Sequence, residues 1–224
     1  QKHEIINSDI TIGADGVNSQ VRAFIQFGQN TSHSQKLADW EYKQIHLSKE
    51  IGDTLKLHSD LMNAWTRKNA ITVAFPNLDG SYAAMLILPK DQEKGFNSLK
   101  MKSKIANFIK MQFPDLLPAL PEITAALLTN PTGHFVTVKT SPWYYKDSIA
   151  IVGDAAHGFF PFYGQGMSAG FADALKIVEL LDKYGENWGK IFSKYQEDGK
   201  ENTDVLAYLS KQIFTRYTRQ TKAD

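Results

Sequence analysis

Apolar and polar residues alternate with two different periods along this chain, and each period points to a different kind of element. In "NAITVAFP" (69–76), Ile71, Val73 and Phe75 recur at every second position, as on a strand with one buried face. "SYAAMLILP" (81–89) follows it, and Asp79-Gly80 between the two is a hairpin signal. "ADWEYKQIHL" (38–47) and "DTLKLHSDLMNAW" (53–65) read as two more strands. The period then lengthens. Over Ser103 to Phe113, the residues Ile105, Phe108, Ile109 and Gln112 fall at helical spacing, and Pro114 ends the pattern.

Both ends of the chain read as strand followed by helix. "DITIGADG" (9–16) is a short strand entering a tight turn, and "NSQVRAFIQF" (18–27) is a helix capped by Asn18 or Ser19. Near the other end, strands are predicted at Phe135 to Lys139 and Ser148 to Gly153. Two closing helices follow. In "QGMSAGFADALKIVELLDKY" (165–184), Met167, Phe171, Leu175, Val178 and Leu181 share one face. In "NTDVLAYLSKQIFTRY" (202–217), capped by Asn202 or Thr203, Val205, Leu209, Ile213 and Tyr217 do so. The fold class predicted is a mixed α/β one. Residues 1–30 and 140–224 pair as part of an α/β domain, and 31–139 form an inserted, mostly antiparallel sheet.

Composition narrows the chemistry. The 224 residues are 42% hydrophobic, enough for one large core or two small ones. Lys and Arg (25) nearly cancel Asp and Glu (24), which argues against a nucleic-acid partner or a charged membrane surface. The absence of cysteine excludes disulfides, thiolate metal sites and cysteine nucleophiles, and fits a cytoplasmic setting. No apolar run is long enough to span a bilayer.

The most unusual stretch is "VGDAAHGFFPFYGQGMSAGF" (152–171). Gly153 permits a sharp turn after a strand, and Asp154 then projects from the strand's carboxyl end, where ligands of α/β sheets bind. A carboxylate there can accept hydrogen bonds from sugar hydroxyls. Gly164 and Gly166 strip side chains from a turn before a helix, whose bare amides and dipole favour an electron-rich group. The aromatic run between them can wall a flat ligand. "GQGMSA" also fits G-x-G-x-x-G/A, but it does not follow its strand directly, as a dinucleotide loop does. The bland alternatives are an Asp helix cap and an ordinary glycine-rich loop. "GADGVNSQVR" (13–22) repeats the logic more weakly.

Together, "DITIGADGVNSQVR" and "SIAIVGDAAHGFFPFYGQGMSAGFADA" resemble the paired motifs of the class A flavin-dependent aromatic hydroxylases, the p-hydroxybenzoate hydroxylase-like family. Within it, "PFYGQGMSAGFAD" is most similar to the kynurenine 3-monooxygenases, with Ser168 where Asn is usual and Ala172 where Glu is usual. The resemblance implies FAD and NADPH as cofactors and hydroxylation of a small, kynurenine-like aromatic substrate. A phenolic or polycyclic substrate, or a non-catalytic aromatic-binding module, is the alternative. It implies that Gly153 and Asp154 meet the flavin sugar chain. Gly164, Gln165, Gly166, Met167 and Ser168 then meet the isoalloxazine. Asp15, Gly16 and Arg22 support the pyrophosphate region and NADPH docking. Pro161, Phe162 and Tyr163 stand between flavin and substrate, and Val73, Phe75 and Ile87 face the substrate from the sheet unless they are plain sheet core. His157 is implied to be a packing and hydrogen-bonding residue. No side-chain catalyst is expected, because the chemistry belongs to the cofactor. The family's glycine-rich loop for the ADP half of FAD has no counterpart in these residues, so the chain reads as a piece of a larger hydroxylase.

Overall fold

A computed structural model describes residues 5–220, so residues 1–4 and 221–224 of the expected outer domain lie outside it. The chain divides into two compact units. One holds the chain up to Leu37 together with Val136–Phe214, and the other holds Ala38–Phe135 and the stretch from Thr215.

The first unit joins strands from the two ends of the chain. Strand β1 (Thr11–Gly13) pairs in parallel with β8 (Ile149–Ile151), and β7 (Tyr144–Tyr145) adds antiparallel to β8. Helix α1 (Gln20–Gly28) follows β1, and Ser19 is its cap, accepting a hydrogen bond from the Arg22 amide. After β8 come a single helical turn, α5 (Asp154–His157), and then α6 (Gly166–Tyr184) and α7 (Trp188–Gln220). The core gathers Ile25, Trp143, Ile151, Ile177, Phe192 and Tyr195.

Both closing helices differ from expectation. The face of α6 that packs inward carries Ala169, Asp173, Ile177 and Leu180, while Met167, Phe171, Leu175 and Val178 are more than half exposed. The physical reason is close approach. The inward face must admit the backbone of the β8–α5 turn, and only small residues such as Gly170 allow that. The α7 pattern extends over a single helix that starts at Trp188, so Asn202 and Thr203 lie inside it and cap nothing. Its inward residues at that level are Thr203, Ala207, Ser210 and Phe214.

The second unit is built on a sheet ordered β3-β4-β5-β2-β6, from β2 (Ser32–Leu47), β3 (Asn63–Arg67), β4 (Ala70–Pro76), β5 (Tyr82–Pro89) and β6 (Gly133–Ser141). The expected hairpin is β4–β5. Gly80 sits at φ +84°, and the Asp79 carboxylate accepts from the Ser81 amide at 3.0 Å. One face of the sheet, with Ile45, Ala74, Leu86 and Leu88, packs on α3 (Lys102–Gln112) and α4 (Leu120–Thr129) through Ile105, Ile109, Ile123 and Leu127. Helix α4 had no prediction.

The strand expected over 53–65 is corrected as well. Residues Lys49–Leu55 form helix α2, capped by the Ser48 hydroxyl, and only Asn63–Arg67 is strand. Ile51 and Leu55, four apart, pack on the core as a helical pair. The alternation of Leu55 with Leu57 imitates a strand because Leu57 lies just beyond the left-handed Lys56 that ends the helix. Among the described residues no helix is long and apolar enough to cross a membrane.

Candidate functional site

The turn from β8 into α5 and the start of α6 border one cavity of about 720 Å³. Of the residues singled out from the sequence, Gly16, Gly153, Asp154, Pro161, Gly164, Gly166 and Met167 line it. Gly153 has φ +58° and ψ −140°, a conformation that only glycine adopts without strain. It leaves Asp154 exposed at the cavity wall. The cap position of α5 is Gly153 itself, and Asp154 is the first residue of the helix, so Asp154 does not occupy the cap position.

The opposite wall begins at Gly164, with φ +68°, and Gly166. A Cβ built on either would meet no atom within 4 Å, so their bareness answers no packing demand within the described residues. The first intrahelical bond of α6 runs from the Ala169 amide to the Gln165 carbonyl, and no side chain caps the helix. The amides of Gly166, Met167 and Ser168 therefore sit in the open first turn, at the positive end of a 19-residue helix. Pro161 and Phe159 form the rim between the two walls. Phe162 packs its ring on Phe214 with centroids 4.9 Å apart, and Tyr163 is exposed. Gln165 and Ser168 lie at the helix start beside the lining residues.

The amino-terminal motif divides. Gly16 reaches the cavity, but Asp15 and Arg22 do structural work next to it. The Asp15 carboxylate accepts from the Gln20 amide at 2.7 Å and the Val21 amide at 3.2 Å, so it closes the first turn of α1. Burial alone would raise its pKa, but hydrogen bonds from Ser19 and these amides outweigh that and hold it below the usual carboxylate value. Arg22 is buried. Its guanidinium donates to the Ala155 carbonyl at 2.8 Å, to the Val17 carbonyl and to Gln35 Oε1 at 3.1 Å. The guanidinium is thus turned inward, where it ties the first motif to the second.

Asp173 escaped the sequence reading. It is 5% exposed, on the inward face of α6. Its Oδ2 accepts from the Gly153 amide at 2.7 Å and stands 2.7 Å from His157 Nε2. His157 is buried and packed on Trp143, in keeping with a packing and hydrogen-bonding residue. The one available signal was a lone charge on the helix face that also holds Ala169, Ile177 and Leu180. Nearby, burial first and then Asp173 push the phenol of Tyr195 far above its ordinary pKa, and its hydroxyl donates to the Ile151 carbonyl at 3.2 Å.

In the second unit, the sheet face opposite the helices carries Ile71, Val73 and Phe75 in register with Ile87, Met85 and Ala83. Val73 and Ile87 are buried, whereas Phe75 is 42% exposed. Phe75, Gln44, His46 and Met85 border a depression of about 350 Å³. Of the three expected pocket residues, only Phe75 lines it. Gln44 and His46 are polar neighbours that the strand pattern left unremarked.

A group that fits the first cavity must tolerate the Asp154 carboxylate and the bare backbone amides at the start of α6. A flavin nucleotide meets these terms: hydroxyls for Asp154, and an electron-rich ring edge for the helix start. The chain is 38% identical over 213 residues to the kynurenine 3-monooxygenase of Flavobacterium johnsoniae, covering 95% of this chain and 48% of that protein. It is also 38% identical over 199 residues to the kynurenine 3-monooxygenase of Legionella pneumophila (strain Lens), covering 89% and 44%. The chain thus spans about half the length of these relatives. In fold it is similar to 2-methyl-3-hydroxypyridine-5-carboxylic acid oxygenase, with TM-score 0.80 at 20% identity, covering 98% of this chain and 57% of that one. Klebsiella pneumoniae HpxO, complexed with FAD and uric acid, gives TM-score 0.71 at 13% identity, covering 96% and 56%. The family model described as an FAD binding domain matches residues 1–201, and with the cavity, the two glycines and Asp154 in view, the chain belongs to that FAD-binding family.

Proposed function

We propose that the protein carrying this chain is an FAD- and NADPH-dependent aromatic-ring hydroxylase acting on kynurenine, giving 3-hydroxykynurenine. The observation that carries the reading is the cavity bordered by Asp154 and the start of α6, where Gly166 stands although a Cβ there would meet nothing within 4 Å. The identity to kynurenine 3-monooxygenases supports the substrate.

In this reading Asp154 accepts hydrogen bonds from the flavin's sugar-chain hydroxyls. The open amides of Gly166, Met167 and Ser168, with the backbone of Gly164 and Gln165, face the ring's pyrimidine edge and stabilise charge that accumulates there. When bound, FAD supplies reduction of dioxygen at the expense of NADPH, one oxygen atom entering the ring and the other leaving as water. The chain's own task is to orient and to keep water out. Pro161, Phe162 and Tyr163 offer an apolar rim for that. Asp15 and Arg22 support the flavin and NADPH regions indirectly, by fixing α1 and the loop that ends in Gly16.

The test uses the full-length gene product. Purified protein should carry stoichiometric flavin, and L-kynurenine should stimulate NADPH oxidation with formation of a hydroxylated product. Stimulation by simple phenols in place of kynurenine would move the substrate assignment. Flavin or aromatic binding without NADPH oxidation would reduce the protein to a binding module.

A further inference from the structure

The turn that presents Asp154 and the helix that faces it are held together by one buried carboxylate. Asp173 lies two turns into α6, about 10 Å from the helix start at the rise of an ideal helix. From there its Oδ2 takes the Gly153 amide and the His157 ring nitrogen, both at 2.7 Å. A carboxylate only accepts, so the proton in the second contact is on Nε2. One turn nearer the cavity, a Cβ on Gly170 would come within 3.7 Å of the Gly153 Cα, so turn and helix run close together there. The side-chain faces of Asp173 and His157 are 6% and 7% exposed, which makes this a charge-assisted pair shielded from water.

Neither residue lines the cavity. Yet one of the two bonds falls on Gly153, whose unusual backbone leaves Asp154 at the cavity wall, the other holds His157 at the end of the same turn, and both originate on the helix whose start lines the cavity. We propose that Asp173, with His157, is the positioning residue of the flavin cradle: it fixes the separation of the Asp154 wall from the α6 wall, and so the affinity for the cofactor, without touching it. This rests on the reading of the cavity as an FAD site.

The experiment replaces Asp173 by Asn in the full-length protein. Asparagine keeps the volume and an acceptor but loses the charge that holds two donors on one oxygen. FAD titrations of the apo protein should show binding weakened about tenfold, the equivalent of one charge-assisted contact. At saturating FAD the visible circular dichroism of the bound flavin should also change, reporting an altered cradle. A role in stability alone predicts a lower urea midpoint with unchanged affinity and flavin spectrum, and that result overturns the proposal. Should Asp173→Asn not fold, His157→Gln decides: FAD binding weakened about threefold or more supports the proposal, by the same arithmetic, and unchanged binding overturns it. The two ideas fail separately. Wild-type protein without FAD affinity refutes the cavity reading, whereas wild-type affinity in both variants refutes only the role of Asp173.

Discussion

Truncating Asp154 to alanine isolates what its carboxylate does, because the structure removes the usual competing explanation. A turn or cap aspartate normally stabilises its helix, and its loss costs about 0.5–2 kcal/mol. Asp154 makes no such bond at α5, and it is exposed. The apo protein should therefore unfold in urea within about 0.5 kcal/mol of wild type. Flavin binding should respond very differently. A charge-assisted hydrogen bond to a sugar hydroxyl is worth about 1.5–3 kcal/mol, so FAD should bind roughly ten- to a hundredfold more weakly. Asp154→Asn keeps an acceptor without the charge, and since charge-assisted bonds are about twice as strong as neutral ones, it should lose about half that free energy. The assay is quenching of flavin fluorescence on titration into apo full-length protein, paired with urea melts of each variant without FAD. Unchanged affinity in Asp154→Ala, with a lowered melt midpoint, would refute the ligand role and return Asp154 to the turn.

Gly166→Ala should fold as stably as wild type, since its Cβ meets nothing within 4 Å, yet weaken FAD binding if ring and backbone touch there; equal affinity in the same titration would deny that contact. Gly13→Ala should destabilise the fold by about 1–3 kcal/mol in urea, because its Cβ would lie 2.6 Å from the Val21 Cβ, which has no freedom to move aside. Asp15→Asn should weaken the start of α1. Its carboxyl is held below the ordinary value of 3.8 in the folded state, so its contribution is complete above about pH 4 and fades as pH falls through the lower folded value. Melts of wild type and variant should converge toward acid, and a constant gap would contradict this. Arg22→Lys should not rescue the loss in Arg22→Ala, because an ammonium cannot span the Ala155, Val17 and Gln35 acceptors at once; thermal melts of both decide it.

The residues visible from sequence are those whose chemistry is local. The β4–β5 hairpin was legible because Asp79-Gly80 demands a turn whatever surrounds it, and the loop from Gly153 to Gly166 because so many glycines and aromatics make poor packing material elsewhere. The faces of α6 and α7 were not legible. Periodicity finds the largest apolar side chains, but which face turns inward depends on what approaches it, and Gly153 approaches α6 on its small side. Asp173 was hidden for a related reason: a polar residue inside an apolar helix reads as a solvated position until its partners, far off in sequence, are known. The partners of Arg22 were not legible either, because the Ala155 carbonyl is brought to its guanidinium only by tertiary structure. The helix over Lys49–Leu55 was lost to an accidental alternation, although Ser48 with Glu50 behind it is a cap signal.

The pairing of β1 with β8 has a consequence for how this protein comes into being. Thr11 lies opposite Ile149, and Gly16 borders the same cavity as Asp154, so the cavity is spliced from segments that the ribosome delivers far apart in time. The hairpin between β4 and β5 and the helices α3 and α4 involve near neighbours and are free to form as they emerge. The pairing of β1 with β8 must wait until the whole sheet-bearing segment between them has been made. Closing so long a loop adds little to the equilibrium cost, about 0.6 kcal/mol for each doubling of length, but it delays the event. The cavity, which needs both segments, should therefore mature later than the β4–β5 hairpin.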